Sequence, residues 1–229
     1  MIDLLELGHG EVGMADKKDL PPLFDKSALA FIRRNVESLV HLVSELLDFT
    51  LVANETLGLE LVKVDAHDVI RCTLRNFESQ QKGAGIGIDL QFQARHSRIR
   101  ADSGKLEQVL SNLIGNAVKF TPRGGKISIV TRNEESGRLV IEVSDTGIGI
   151  PADALSRIFS PFEQGDSSIH RRYGGLGLGL SIARTLTKAH GGTLEAASDG
   201  LDRGAKLTAR FKIDDSASDA GDNERLIAA

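Results

Sequence analysis

Tryptophan is absent from this chain, tyrosine occurs once, and aromatic residues make up 4% of it. So few aromatic rings count against the stacking platforms that hold single-stranded nucleic acid. The formal net charge is -4, so the basic footprint of a nucleic-acid partner is missing as well. A single cysteine, Cys72, leaves no internal disulfide and no cysteine-based metal cluster, which fits a reducing compartment. Cys72 falls within a helical pattern and reads as a small buried thiol. No apolar run approaches the ~20 residues of a membrane-spanning helix. Met1-Ile-Asp-Leu-Leu-Glu carries acids and no basic flank, unlike a signal peptide.

What is present is an ordinary globular composition, 41% hydrophobic and 26% charged, over 229 residues. That length suits one large domain or two small ones. Leu23 to Thr50 reads as a long amphipathic helix after Pro21-Pro22, with Ile32, Val36, Leu39, Val43, Leu46 and Leu47 on one stripe. A lone helix cannot bury such a stripe, so it requires a partner helix from this chain or another copy. Glu60 to Val64 reads as a strand. Asp65 then caps a helix to about Gln81, with His67 in its first turn. Ile86 to Phe92 and Arg98 to Ala101 read as strands. Lys126 to Arg132 and Leu139 to Ser144 form a hairpin, and a short helix runs through Ile158. Gly174-Gly-Leu-Gly-Leu-Gly179 opens a helix to His190, which Gly191 and Gly192 close. Thr193 to Ala197 and Ala205 to Ile213 form a second hairpin. Asp214 to Asn223 has the composition of a linker or frayed tail.

Gln108 to Phe120 organises the rest. Leu106, Val109, Leu110, Leu113, Ala117 and Phe120 follow a helical period, with Asp102 or Ser103 as the cap. Asn112 and Asn116 share one polar face, and Lys119 lies one turn on. Carboxamide oxygens are hard ligands suited to Mg²⁺, and an ammonium suits phosphate. Asp145 closes a strand, with Gly147 and Gly149 following it. A carboxylate there can accept from an exocyclic amine. The glycines let backbone approach a flat ring, and Ile148 and Ile150 supply apolar walls. The later glycine run offers helix N-terminal N–H groups to phosphate, with Arg171 and Arg172 just upstream. It is no dinucleotide loop, because it follows a polar loop rather than a strand. Each piece alone also fits an ordinary turn or polar helix face.

The ordered set Asn-x-x-x-Asn-Ala-x-Lys-Phe, Asp-x-Gly-x-Gly-Ile, Phe-x-x-Phe and Gly-x-Gly-x-Gly-Leu resembles the catalytic, ATP-binding domain of sensor histidine kinases, in the GHKL ATPase superfamily. Asn112 to Phe120 is similar to the N box and Asp145 to Gly149 to the first glycine box. Phe159 and Phe162 are similar to the F box, and Gly175, Gly177 and Gly179 to the second glycine box. The resemblance implies an α+β fold: a two-layer sandwich of the Bergerat type, with a mixed, mostly antiparallel sheet and helices on one face. It implies that Asn116 ligates Mg²⁺ with Asn112 near the same phosphates, that Lys119 contacts phosphate, and that Asp145 reads the adenine amine. Gly147 and Gly149, with Phe120, Ile148 and Ile150, would shape the base pocket. Glu163 to Gly175 would be a mobile lid, and Gly175 to Leu180, including Leu176, Leu178 and Leu180, would seat the triphosphate. Leu176 stands where many relatives have Thr.

Hydrolases of the superfamily place a glutamate where this chain has Asn112. An asparagine has no basic site to activate water, which favours phosphoryl transfer over hydrolysis. The Leu23–Thr50 helix resembles the second helix of the family's dimerisation and phosphotransfer domain. The first helix's His-Glu-Leu-Arg-x-x-Pro motif is absent, and neither His9 nor His41 replaces it well. The expected organisation is a partial helical region over residues 1–56, an ATP-binding domain over 57–213 and a tail over 214–229. Either the chain is a fragment or it phosphorylates another polypeptide. The implied partners are a second copy, through the Leu23–Thr50 helix, and a response-regulator receiver domain. The implied location is the cytoplasm, including the cytoplasmic part of a membrane-bound sensor. Two other readings stay open: a nucleotide-binding interaction module without kinase activity, and an ATP hydrolase.

Overall fold

Two strand-to-helix steps build the first half of the domain, and each turns on an aspartate. In a computed structural model of the chain the described residues are 58–163 and 176–214, together with Ile32, Arg33 and Val36. Strand β1 (Val62–Asp65) ends in Asp65, whose carboxylate accepts from the His67 N–H at 2.9 Å and caps helix α1 (Ala66–Ala84). After strands β2 (Gly87–Phe92) and β3 (Arg98–Ala101), Asp102 accepts from the Lys105 N–H at 3.1 Å and caps helix α2 (Ser103–Phe120). Both caps satisfy donors that a helix start leaves open. β1 pairs antiparallel with β3, Val62 opposite Ala101, so the two helices leave opposite ends of one ribbon.

Strands β4 (Lys126–Glu134) and β5 (Arg138–Asp145) form the expected hairpin, and its register sets Asp145 opposite Ile127. A short helix α3 (Ala152–Leu155), helix α4 (Gly179–Ala189) and the hairpin of β6 (Thr193–Ala197) with β7 (Lys206–Lys212) complete the described elements. The main sheet runs β2-β4-β5-β7-β6. It is antiparallel except for β2 and β4, which are parallel because α2 carries the chain back across the sheet. An Ile99–Ile213 bridge and the Asp214 N–H, which donates to the Arg98 carbonyl at 2.9 Å, fasten the ribbon to the end of β7.

Alternation along the strands decides which face is buried. Ile127, Ile129, Leu139, Ile141, Leu207 and Phe211 pack with Leu106, Leu110, Leu113 and Ile114 of α2 and Ile182 and Leu186 of α4. Each such side chain contributes about 1.5–3 kcal/mol by leaving water. The other face carries ion pairs, Arg210 with Glu134 at 3.1 Å and with Glu195 at 2.9 Å, and Lys206 with Glu142 at 3.3 Å. Exposed pairs of this kind are worth about 0–1 kcal/mol, so the helical face holds the fold. The result is the α+β two-layer sandwich expected from the sequence, with its mixed sheet and helices on one face.

Several details differ from the sequence reading. Cys72 is exposed rather than buried, because α1 turns Ala66, Val69, Ile70 and Thr73 inward. α1 runs past Gln81, since Gly83 stays helical and Gly85, at φ 62°, makes the left-handed exit. α3 ends at Leu155, short of Ile158. The chain divides into two compact units, residues 1–41 and 42–229. In the first, Ile32, Arg33 and Val36 are helical and exposed. The rest of the Leu23–Thr50 helix, His9, His41 and the tail beyond Asp214 lie outside the described residues. Among the described residues no helix is long and apolar enough to cross a membrane.

The Asp102 cap is testable. The Lys105 N–H above all, then the Glu60 and Gly104 N–H groups, hold its carboxyl below the usual range. A carboxyl lowered by folding stabilises above its unfolded pKa, and that stability is lost as pH falls through the folded value. Asp102→Ala should therefore cost about 1 kcal/mol in urea unfolding at neutral pH. The gap from the parent protein should close in acid.

Candidate functional site

The apolar stripe of α2 buries Leu106, Val109, Leu110, Leu113, Ile114, Ala117 and Val118. Asn112, Asn116 and Lys119 therefore fall on its half-buried flank. Among the described residues neither carboxamide has a hydrogen-bond partner on the protein. Half-buried amides left this way call for water or a ligand. The Lys119 ammonium lies over the Phe120 ring, 4.9 Å from its centroid. The Phe120 carbonyl accepts from the Ile148 N–H at 3.2 Å, which ties the end of α2 to the loop after β5.

That loop begins at Asp145. Its Oδ1 accepts from the Gly147 N–H at 2.7 Å and the Ala205 N–H at 3.3 Å. No described donor reaches Oδ2. Burial pushes the carboxyl above its ordinary pKa, and the two backbone hydrogen bonds only partly oppose this. An acceptor held on one side and open on the other is suited to a single N–H donor. A Cβ on Gly147 would lie 2.5 Å from the Phe120 carbonyl oxygen and 2.6 Å from Asp145 Oδ1. One on Gly149, at φ +71°, would collide with the Gly200 carbonyl. Both glycines make room for the protein's own chain.

The remaining residues fall into four groups. Ile148 and Ile150 are half-buried. Phe159 packs against the core beneath the Arg184 guanidinium, 4.9 Å from the ring, whereas Phe162 is 57% exposed at φ 61°. Arg171, Arg172 and Gly175, with residues 164–175 of the expected lid, lie outside the described residues. Leu176 and Leu180 pack against the core, and Leu178 is wholly buried in it. α4 starts at Gly179 rather than Gly174, because Gly177 takes a left-handed φ of 72° that no helix can contain. Leu178 makes no side-chain cap, so the first N–H groups of α4 have no such acceptor. A cleft of about 440 Å³ between β1, α1 and the start of α2 contains none of these residues.

Sequence reasoning missed the segment Ser198 to Ala205. It donates the Gly204 N–H to the Gly147 carbonyl at 3.0 Å and the Asp202 N–H to the Ile148 carbonyl at 2.8 Å. The Ser198 hydroxyl accepts from the Ile150 N–H at 2.9 Å. Gly200 and Gly204, both at positive φ, were the available signal.

Residues 101–215 match the family described as histidine kinase-, DNA gyrase B-, and HSP90-like ATPase. The chain belongs to this family, as the ATP-binding core of the sensor histidine kinase type. It is 38% identical over 168 residues to the circadian input-output histidine kinase CikA of Synechococcus elongatus, covering 71% of this chain and 22% of that protein. It is 32% identical over 194 residues to the histidine protein kinase DivJ of Caulobacter vibrioides, covering 84% of this chain and 32% of that protein. The chain thus spans between about a fifth and a third of these relatives' length. Among solved structures it resembles full-length ShkA in complex with AMPPNP, with TM-score 0.70 and 30% identity, over 83% of this chain and 40% of that one. It also resembles histidine kinase ThkA in complex with the response regulator protein TrrA, with TM-score 0.65 and 26% identity, over 86% of this chain and 54% of that one.

The raised pKa of Asp145 has a stability consequence. A carboxyl raised by folding stabilises below its unfolded pKa, and that stability is lost as pH rises through the folded value. Asp145→Asn should therefore melt higher than the parent protein at neutral pH when no ligand is present. Calorimetric scans should show this advantage vanishing in acid.

Proposed function

We propose that this chain is the kinase core of a two-component pathway, transferring the γ-phosphoryl group of Mg-ATP to a protein histidine. The observation that carries the proposal is Asp145: one oxygen engaged by two backbone donors, the other open, at the start of a loop that the Phe120 carbonyl ties to the end of α2. On this reading Oδ2 accepts the adenine amine, and Gly147, Ile148, Gly149 and Ile150 form the wall beside it. The unpartnered carboxamides fit a hard divalent cation, so Asn116 would hold Mg²⁺, with Asn112 near the same phosphates. Bound there, Mg²⁺ would offset phosphate charge. Lys119, Arg171, Arg172 and the N-terminal N–H groups of α4, after Gly175 and Gly177, would meet the phosphates. In the transfer the γ-phosphorus leaves the bridging oxygen of ADP and bonds to the unprotonated imidazole nitrogen, and the proton on the other ring nitrogen goes to solvent. Asn112 cannot deprotonate water, which sets the reading apart from hydrolysis.

The acceptor is a histidine on another segment or polypeptide, and the phosphoryl group would pass on to a receiver domain. The ThkA complex with TrrA supports that partner class. Pairing of two copies through the Leu23–Thr50 helix, with a catalytic domain over residues 57–213, belongs to the same proposal. The absent acceptor motif favours one second reading, a nucleotide-binding interaction module that performs no transfer.

Incubation with γ-labelled ATP, Mg²⁺ and a supplied histidine phosphotransfer domain should place an acid-labile phosphoryl group on that domain. Binding without transfer would favour the second reading, and no binding at millimolar ATP would end both. Asn116→Ala should abolish the Mg²⁺-dependent transfer while keeping the parent's circular dichroism. Asp145→Asn should weaken ATP binding by about 1–3 kcal/mol in calorimetry.

A further inference from the structure

The loop from Gly147 to Pro151 belongs to neither strand nor helix, and besides Asp145 and Phe120 it is tied to Ser198, Asp202 and Gly204, 48 or more residues further along the chain. Within that distant segment the Ser198 hydroxyl uses all of its bonding capacity. It accepts from the Ile150 N–H at 2.9 Å and the Gly200 N–H at 3.3 Å, and donates to the Gly204 carbonyl at 2.7 Å. Gly204 in turn donates to the Gly147 carbonyl at 3.0 Å, and the next residue, Ala205, donates to Asp145 Oδ1 at 3.3 Å. One hydroxyl therefore joins the far end of the loop to the group that orients the Asp145 carboxylate. No other described residue bonds the Ile150 N–H.

We propose that Ser198 is a positioning residue for the base-reading loop, holding Asp145 Oδ2 and the Ile148–Ile150 wall in their ligand-ready arrangement. The role rests on the nucleotide reading above and adds to it a residue that touches no nucleotide itself. An alanine at this position removes the acceptor of the Ile150 N–H and the donor to Gly204 together. The loop then keeps its ties through Gly147 and Ile148 but loses the one nearest Pro151. Threonine keeps the hydroxyl.

The test uses the full chain with Ser198→Ala and Ser198→Thr. Calorimetric titration with Mg-ATP and Mg-ADP should show Ser198→Ala weakened roughly five-fold, the worth of about one hydrogen bond. The factor should be the same for both nucleotides, since the clamp acts on the base end and not on the γ-phosphate. Ser198→Thr should bind within about two-fold of the parent, given that it keeps that one hydrogen bond. Amide hydrogen exchange should show Ile150 protected in the parent and in Ser198→Thr, and released in Ser198→Ala. Parent-like binding by Ser198→Ala overturns the proposal, and so does a loss in Ser198→Thr as large as that in Ser198→Ala. If Ser198→Ala does not fold, exchange at Ile150 in the parent and in Ser198→Thr decides, and an unprotected Ile150 overturns the clamp. A parent protein that binds neither nucleotide would instead sink the nucleotide reading, while the Ile150 exchange still tests the clamp.

Discussion

A carboxylate withdrawn from water at the end of a strand is the constraint on which the site depends. Burial raises the pKa of Asp145, so its charged form sits there at a cost that backbone donors only partly offset. Those donors come from two places far apart in sequence, Gly147 in the next turn and Ala205 at the entry to β7. Holding both requires β5 and β7 to be neighbours in fixed register, which the pairing of Ser144 with Lys206 provides. The central strands of the sheet and the geometry of one side chain are thus a single arrangement.

Energy and chemistry are kept on separate parts of the molecule. The apolar face of the sheet, filled by α1, α2 and α4, supplies the stability. The half-buried flank of α2 and the loops after β5 and β6 supply polar groups at the edge of that core. Asn112 and Asn116 can be left without protein partners because the stripe beside them, Leu106 to Ala117, already anchors the helix. Their cost is small beside that burial.

Elements governed by local chemistry were legible in the sequence. The stripe of α2, the caps at Asp65 and Asp102, the β4–β5 hairpin and the left-handed Gly191 after α4 each follow from nearest neighbours. Asp145 and the asparagines were legible as a candidate site because their residue types and order carry a recognisable pattern. What depended on distant chain was not. The atoms that a Cβ on Gly147 or Gly149 would strike include those of Phe120 and Gly200, which no local pattern announces. Ser198 drew no notice, because its tie to the loop after β5 is to Ile150, 48 positions away. Cys72 was assigned to the interior because its residue type is so often found there, and only the facing of α1 could correct that. The start of α4 moved to Gly179 because either hand of backbone is open to glycine, and the sequence alone does not say which Gly177 adopts.

The position of β7 bears on how such a domain is made. It is the last described strand but lies inside the sheet, between β5 and β6, and its end holds the β1–β3 ribbon through Ile213. A chain emerging from the ribosome meets its first strands early and the strand that locks them last. Until Ile213 has cleared the exit tunnel, β5 and β6 have no common neighbour and the Asp145 carboxylate lacks its second donor. A nascent chain stalled short of that point would have the asparagine helix already wound and no formed seat for a base.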